Sequence, residues 1–529
     1  MESLDDADFL RLKFMNNRTY LSLLISLFFG IGLTAAKQPN ILFIYTDDQS
    51  SRTVSCYDEA FDWVKTPNID SLAKQGVRFE QAYIGSWCMA SRATLLTGHF
   101  QHSIESMRME GKYPGCVYNA KKCPFWPSVF RKNGYNTAQI GKWHTGVDSG
   151  YGRDWDYQIV WNRTKHVDNA PNYYYNQLTE FNGGKAVNVE GYTTDTYTDW
   201  AVEYINGKGR DQKKPWYLWL CYGAVHGPFT PADRHIGKYK GTKVSIPEDV
   251  YPPRPGKPAY IQTMQHWEPK DGIAVEKKVR ELGPVGMRDL PGRPLREWIQ
   301  QYHEGVLAID EAVGRLLQTL KDSGQDEDTL IVFTSDQGFG WGQHGFKSKV
   351  AGYDATIGCP LIVRPPASRS AKTAGKVVKG PVAGADLVPT FFAQAGIDLP
   401  WKMHGKDLTP VIEEPKTEPC GPALLVHTGS FYGSATKNIP DIHSKDLYWG
   451  PGVPWYVMLA DGKYKYIRNL IEGEVEELYD LSKDPNELVN LALGTTHKDT
   501  LADLRSKAIE ELKRTDAPFV NNLPRTGTE

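Results

Sequence analysis

Neither sign of charge is in surplus. Lys and Arg total 61 against 63 Asp and Glu, a formal net charge of −2. That balance excludes the broad basic surface from which nucleic-acid binding draws most of its affinity, and no acidic tail is present. Long apolar runs are scarce. The one near the N-terminus, Leu21 to Leu33, is too short to span a bilayer comfortably. Cysteine is sparse, and seven is an odd number, so at least one thiol stays outside any intramolecular pair. There is no internal repeat and no heptad array, which excludes solenoids and coiled coils.

What is present begins with a targeting signature. Arg18 precedes the apolar run, and Thr34-Ala35-Ala36 supplies small residues for cleavage. Residues 1–36 are expected to be a signal peptide, with Met15 as an alternative start. Export follows: periplasmic or secreted, and lysosomal or extracellular in a eukaryotic host. In that oxidising setting Cys116 and Cys123 are placed to bridge a short loop, Cys359 and Cys420 form a second candidate pair, and Cys88 is the candidate left out. With 529 residues, two domains are expected, over 37–412 and 413–529.

The larger part alternates strands and helices. Asn40 to Tyr45, Trp216 to Tyr222 and Thr329 to Thr334 are near-continuous apolar runs, as in strands buried on both faces, and Tyr135 to Ile140 is a further plausible strand. Tyr302 to Leu320 carries apolar residues at helical spacing, closed by Gly324, and Asp386 to Gly396 is a shorter helix. Thr66 is placed to cap a helix whose first turn holds Pro67 and which stops at Gly76. This pattern predicts a large, mostly parallel sheet flanked by helices. After about Pro410 the texture changes to a hairpin turning at Asp461-Gly462 and a final amphipathic helix, a smaller α+β unit. Residues 231–296, rich in Pro and Lys, are expected to form a long surface excursion. The aromatics Trp155, Trp161, Tyr173, Tyr174 and Tyr175 fit either a stacking platform for a ring or loop packing. Asn162-Arg163-Thr164 matches a glycosylation sequon.

Polar residues recur where these strands end, the place where open α/β sheets bind ligands. Asp47-Asp48 follows the first strand, Lys142 and His144 the second, His226 the third, and Asp336-Gln337 the fourth. Lys142 and His144, two apart, share a face if that segment stays extended. Cys88 to Gly98 adds a sulfur and a cation: on a helix starting at Cys88, Arg92 lies one turn on, on the same face.

Taken in order, these motifs resemble the sulfatase family of the alkaline-phosphatase-like superfamily. The resemblance rests on Pro39-Asn40-Ile41-Leu42 through Asp47-Asp48, Thr66-Pro67-Asn68-Ile69-Asp70, Cys88 to Gly98, Gly141-Lys142-Trp143-His144 and His226-Gly227-Pro228-Phe229. It continues in Ser335-Asp336-Gln337-Gly338, Gly342-Gln343-His344-Gly345 and Glu477 to Leu481. It implies that Cys88 is oxidised by a maturation enzyme to formylglycine (3-oxoalanine). It implies a divalent cation, usually Ca²⁺, held by Asp47, Asp48, Asp336, Gln337 and the modified Cys88. Arg92 would steady the modified residue, Lys142 and Lys349 would contact sulfate, His226 (with Lys349) would protonate the leaving alcohol, and His144 would deprotonate the second hydroxyl. Lys349, five residues before Asp354, fits the family spacing better than Lys347. Two positions depart from the commoner pattern: Ala90 stands where proline is usual in the oxidation signal, and Gln337 where Asn or His is commoner, though its amide still offers an oxygen.

The function implied is hydrolysis of a sulfate ester of a sulfated carbohydrate or an aryl alcohol. Two alternatives remain at this level. One is a phosphonate or phosphate ester hydrolase on the same fold. The other is a sulfated-glycan-binding protein without turnover, should Cys88 remain a thiol.

Overall fold

The first strand shows how the fold is specified. Ile41, Phe43 and Tyr45 of β1 (Asn40–Thr46) join one buried cluster, and Leu42 and Ile44 join the other. Successive side chains of a strand point to opposite faces, so an unbroken apolar run must be covered on both. This structure is a computed structural model, and it describes residues 38–106, 118–277, 291–414, 421–449 and 452–528. The signal-peptide region and alternative start, Cys116 and Cys420 lie outside the described residues, and with the last two go both proposed disulfides.

The main sheet has ten strands. In chain order they are β1, β2 (Val77–Tyr83), β3 (Asn136–Lys142), β4 (Tyr157–Trp161), β5 (Gln177–Phe181), β6 (Val187–Val189), β7 (Trp216–Cys221), β8 (Thr329–Ser335), β9 (Leu361–Arg364) and β10 (Lys376–Ala383), and across the sheet they run β10-β2-β9-β8-β1-β7-β3-β4-β5-β6. The centre, β8-β1-β7-β3-β4, is parallel, as expected. Beyond it the sheet is mixed: β9 runs antiparallel to both neighbours, and β5 and β6 return as antiparallel strands. Because β1, β3, β7 and β8 are parallel and adjacent, their C-terminal ends open on one edge, where every candidate site residue but those of the Cys88 helix and Lys349 is attached.

Helices cover both faces. On one lie α1 (Pro67–Gln75), α3 (Thr193–Ile205) and the 28-residue α4 (Leu295–Asp322). The other carries α2 (Cys88–Thr97) and α5 (Leu387–Ala395). The start of α1 differs from expectation. Thr66 makes no side-chain cap. Instead the Asp310 carboxylate of α4 accepts from the backbone N–H groups of Asn68 (3.0 Å) and Ile69 (2.9 Å) and from Asn68 Nδ2 (2.8 Å). A partner 242 residues away thus satisfies the free N–H groups of the first turn.

A smaller antiparallel sheet follows, ordered β11 (Ala423–His427), β12 (Tyr456–Ala460), β13 (Tyr464–Asn469) and β14 (Glu477–Asp480). It is covered by α6 (Lys498–Arg514) through Leu501, Leu504, Ala508 and Leu512. One buried cluster runs without a break from Phe43 in the main sheet to Leu512 in α6.

The excursion expected over 231–296 is partly built in. Trp267–Lys270 and Ile273–Glu276 form a hairpin, and Ile261, Trp267 and Val275 are fully buried. The aromatics between 155 and 175 are likewise mostly packing: Trp155, Trp161, Tyr173 and Tyr174 are buried. Asn162 is buried too, donating to Val147 O at 2.8 Å and accepting from Lys165 N, so the sequon is not presented for glycosylation in the folded chain.

Candidate active site

Cys88 is the first residue of α2, and Arg92 follows one turn later, as the spacing required. Both are buried beneath the ends of β1 and β8. The Arg92 guanidinium lies 3.3 Å from Asp47 Oδ2 and 3.5 Å from Asp336 Oδ2, donates to Lys142 O at 3.0 Å, and stands over the Tyr45 ring. Ser91 Oγ donates to Asp336 O at 2.7 Å, which pins α2 to the end of β8.

Six side chains from distant parts of the chain converge around Cys88 Sγ, three of them in direct contact with it. Asp47 Oδ1 is 3.3 Å away, Lys349 Nζ 2.9 Å, and Gln337 Nε2 3.6 Å. Lys142 pairs with Asp47 Oδ2. Lys349 pairs with Asp48 Oδ1 at 2.5 Å, and the Gln337 amide donates to the same oxygen. His226 Nε2 stands 3.7 Å from Asp48 Oδ2. Three carboxylates (Asp47, Asp48, Asp336) thus face three cations (Arg92, Lys142, Lys349) around one sulfur. Asp48 N donates to Asp336 Oδ1 at 2.9 Å, locking the two strand-end loops together. Lys347, the alternative lysine, instead pairs with Glu276 and lies over Trp298.

The electrostatics follow from burial and neighbours. Burial pushes the Cys88 thiol up to about 12, with Asp336 and Asp47 adding to it. A thiolate nucleophile is therefore not available near neutral pH. Burial raises Asp336 to about 7, and Asp47 beside it acts in the same direction. Asp47 is also desolvated, but Lys142, His226 and Arg92 outweigh this and hold it well below the usual carboxylate range. Burial and then Lys349 hold His226 far below the ordinary imidazole value; burial and then Arg163 do the same to His144.

The ligand atoms of Asp47, Asp48, Cys88 and His226 all lie within 4.8 Å of one another. Asp48 Oδ2 and Gln337 Oε1 are buried and have no hydrogen-bond partner among the described residues. Unsatisfied buried acceptors beside carboxylates suit a hard cation, for which oxygen is the preferred donor. The cluster fits one divalent ion.

Three contributors were not legible in the sequence. Tyr173 stacks on His226 with ring centroids 3.9 Å apart and places its hydroxyl 3.1 Å from Nε2. Arg163 donates to His144 Nε2 at 2.9 Å. Tyr302, from α4, donates to Asp48 O and accepts from Ser50 N at 3.1 Å. Tyr173 stood in an aromatic run that fitted packing equally well, and nothing local marks the other two. The expectation that Lys142 and His144 share an extended face does not hold: β3 ends at Lys142, and His144 adopts φ +119°. Gly141, just before, has φ +104° and approaches Cys221 O so closely that a Cβ would sit 2.1 Å from it.

The family model described as Sulfatase matches residues 39–397. The chain belongs to the sulfatase family. It is 29% identical over 531 residues to an N-acetylglucosamine-6-O-sulfatase of Bacteroides thetaiotaomicron, covering 92% of this chain and 88% of the relative. It is 26% identical to an arylsulfatase of Clostridium perfringens, covering 90% and 95%. Its fold matches a solved structure in complex with its substrate D-glucosamine-2-N,6-O-disulfate (TM-score 0.73, 24% identity, 91% and 98% covered). A phosphonate monoester hydrolase of Agrobacterium radiobacter shares the fold (TM-score 0.62, 19% identity, 90% and 96% covered). This sulfatase is accordingly a hydrolase of sulfated substrates, with its candidate catalytic Cys88 beside a buried cluster suited to one divalent cation.

Proposed function

We propose that this sulfatase, exported from the cell, removes sulfate from a sulfated carbohydrate, and that Cys88 acts only after a maturation enzyme has converted it to formylglycine. The observation that carries the reading is the ring of three cations and three carboxylates around a thiol whose pKa is pushed up to about 12. Such a thiol is a poor nucleophile, yet everything needed to bind and cleave an anionic ester surrounds it. Residues 37–412 form the catalytic part in this reading, and 413–529 the C-terminal one.

Lys142 and Lys349 hold the sulfate oxygens by charge-assisted hydrogen bonds, which strengthen as negative charge develops in the transition state. Arg92 fixes the position of residue 88 relative to Asp47 and Asp336. Asp47, Asp48, Asp336 and Gln337 would hold the cation, Ca²⁺ by the oxygen-only donor set. Turning over the Gln337 amide would present Oε1 in place of Nε2. Once bound, the ion would neutralise sulfate and acidify a hydroxyl on residue 88. Formylglycine carries hydroxyls only after its aldehyde adds water; one hydroxyl of that hydrate would lose its proton and bond to sulfur as the sulfur–alcohol bond breaks, and His226, positioned by Tyr173 and assisted by Lys349, would give the leaving oxygen its proton. His144, positioned by Arg163, would take the proton from the hydrate's second hydroxyl as the carbon–oxygen bond to sulfate breaks, releasing sulfate and restoring the aldehyde. Serine at this position lacks the second hydroxyl and stops after the first half.

The carbohydrate assignment is supported by the relatives: the Bacteroides enzyme is named for N-acetylglucosamine 6-O-sulfate, and the solved neighbour binds a disulfated glucosamine. The test is peptide mass spectrometry across Cys88 of protein from its native host, paired with sulfate release from N-acetylglucosamine 6-sulfate. Aldehyde at position 88 and sulfate release are expected. An intact thiol with no release overturns the reading, and phosphonate monoester cleavage without sulfate release would assign the chain to the other chemistry.

A further inference from the structure

A second cavity, of about 780 Å³, opens beside the His226 loop. Its walls are the loop 236–242, Arg293 just before α4, and the first turns of α4, including Arg296 and Gln301. It is tied to the candidate active site through the chain. Gln301 Nε2 donates to Phe229 O at 2.8 Å, Phe229 N donates to His226 O at 3.1 Å, and Pro231 lines the cavity. Five residues of extended chain reach no further than about 18 Å, so the cavity lies within an oligosaccharide's reach of His226.

The charges divide unequally. Glu304, one of the two acids in the lining, is buried and accepts from Tyr239 N at 3.1 Å. Arg293 is engaged by Gln301 and the carbonyl of Glu297. Lys240 and Arg296 are exposed and make no ion pair among the described residues, and the same holds for Lys238 and Lys243 on the same loop. Arg234, by contrast, is consumed by Asp195 and Glu311. Two uncommitted cations, Lys240 and Arg296, therefore line a cavity whose remaining exposed acid is Glu297, and Lys238 and Lys243 lie two and three residues from Lys240 along the chain. Surface cations without partners attract polyanions and weaken with salt.

We propose that this cavity receives sulfate groups on a saccharide unit neighbouring the one cleaved, so that the substrate is a multiply sulfated oligosaccharide. The proposal rests on the sulfated-carbohydrate reading and names the form in which that substrate is presented. Lys240 and Arg296 would contact the additional sulfates, Lys238 and Lys243 would draw the chain in, and neither group touches the reacting atoms.

The experiment compares wild type with the K240E/R296E double variant of the full chain. Binding of a fluorescent heparin-derived hexasaccharide is measured between low and physiological salt, beside turnover of N-acetylglucosamine 6-sulfate. A loss of hexasaccharide affinity of about tenfold at low salt, a shallower salt dependence and unchanged kcat and KM on the monosaccharide are expected. Equal affinity of wild type and variant overturns the proposal. So does equally tight binding of the desulfated hexasaccharide, which keeps its uronate carboxylates. Failure of wild type to cleave the monosaccharide defeats the function reading separately, and the binding comparison still decides the cavity.

Discussion

Lys349 Nζ lies 2.9 Å from Cys88 Sγ across 261 residues of chain. The smaller sheet helps put it there. Tyr456 OH, from β12, donates at 2.5 Å to the carbonyl of Val350, the residue after Lys349. Lys465, from β13, pairs with Glu487 at 2.8 Å and with Asp354, and Glu487 in turn accepts from Asp354 N at 2.7 Å. The C-terminal elements thus brace the loop that carries Lys349 to Cys88.

From that geometry the two lysines should separate cleanly. Lys349→Ala is expected to lower kcat by about 10²–10³, the usual cost of losing a donor aimed at transition-state charge. Lys347→Ala breaks a buried pair with Glu276 and should lower the unfolding midpoint, while folded protein keeps kcat within about twofold. Steady-state kinetics with thermal unfolding on both variants would show it, and the reverse pattern would reassign the site.

Calcium should stabilise the chain by linkage. At a hundredfold excess over its Kd, an ion that binds only the folded state adds about 2.7 kcal/mol. Differential scanning calorimetry with Ca²⁺ and with chelator should show the midpoint rise, and Asp48→Asn should remove most of the increment. A midpoint indifferent to Ca²⁺ in the wild type would sink the metal assignment.

Asp310→Ala deprives α1 of three hydrogen bonds at its N-terminus. A loss of about 1–3 kcal/mol is expected, as for a lost helix cap that leaves buried N–H groups unpaired. Activity per folded molecule should not change. Denaturant unfolding together with kinetics checks this, and an unchanged unfolding midpoint would overturn the capping role of Asp310.

Acid sensitivity should come partly from a histidine cluster remote from the site. His102 and His404 stack with centroids 5.6 Å apart, and burial lowers them to about 4 and about 2. In the unfolded chain both titrate near 6.5, so below that pH the unfolded state binds more protons. Stability is therefore complete above about pH 6.5 and falls as pH drops towards 4, by up to about 1.4 kcal/mol per pH unit for each histidine. His102→Gln should flatten the dependence of the unfolding midpoint between pH 6.5 and 4. An unchanged slope would exclude the cluster as its source.

The sequence by itself determined the central strands, the long helix α4, the Cys88–Arg92 relation and the strand-end acids. Each is a local pattern: an apolar run, a helical period, a spacing of four, a polar pair where a strand stops. Tertiary structure alone decided the rest. That Arg163 and Tyr173 orient the two histidines, that Tyr302 holds the Asp48 loop, and that Asp310 caps α1 all depend on contacts between residues far apart in the chain or on loop conformations, whereas Lys349 over Lys347 was already favoured by the family spacing to Asp354. Periodicity carries no record of such partners, because burial and charge are satisfied by whichever group the packing brings near. Gly141 and His144 show the same limit at short range: the left-handed backbone there is imposed by the approach of Cys221 and by the site around it, and the sequence pattern alone fits an extended strand equally well.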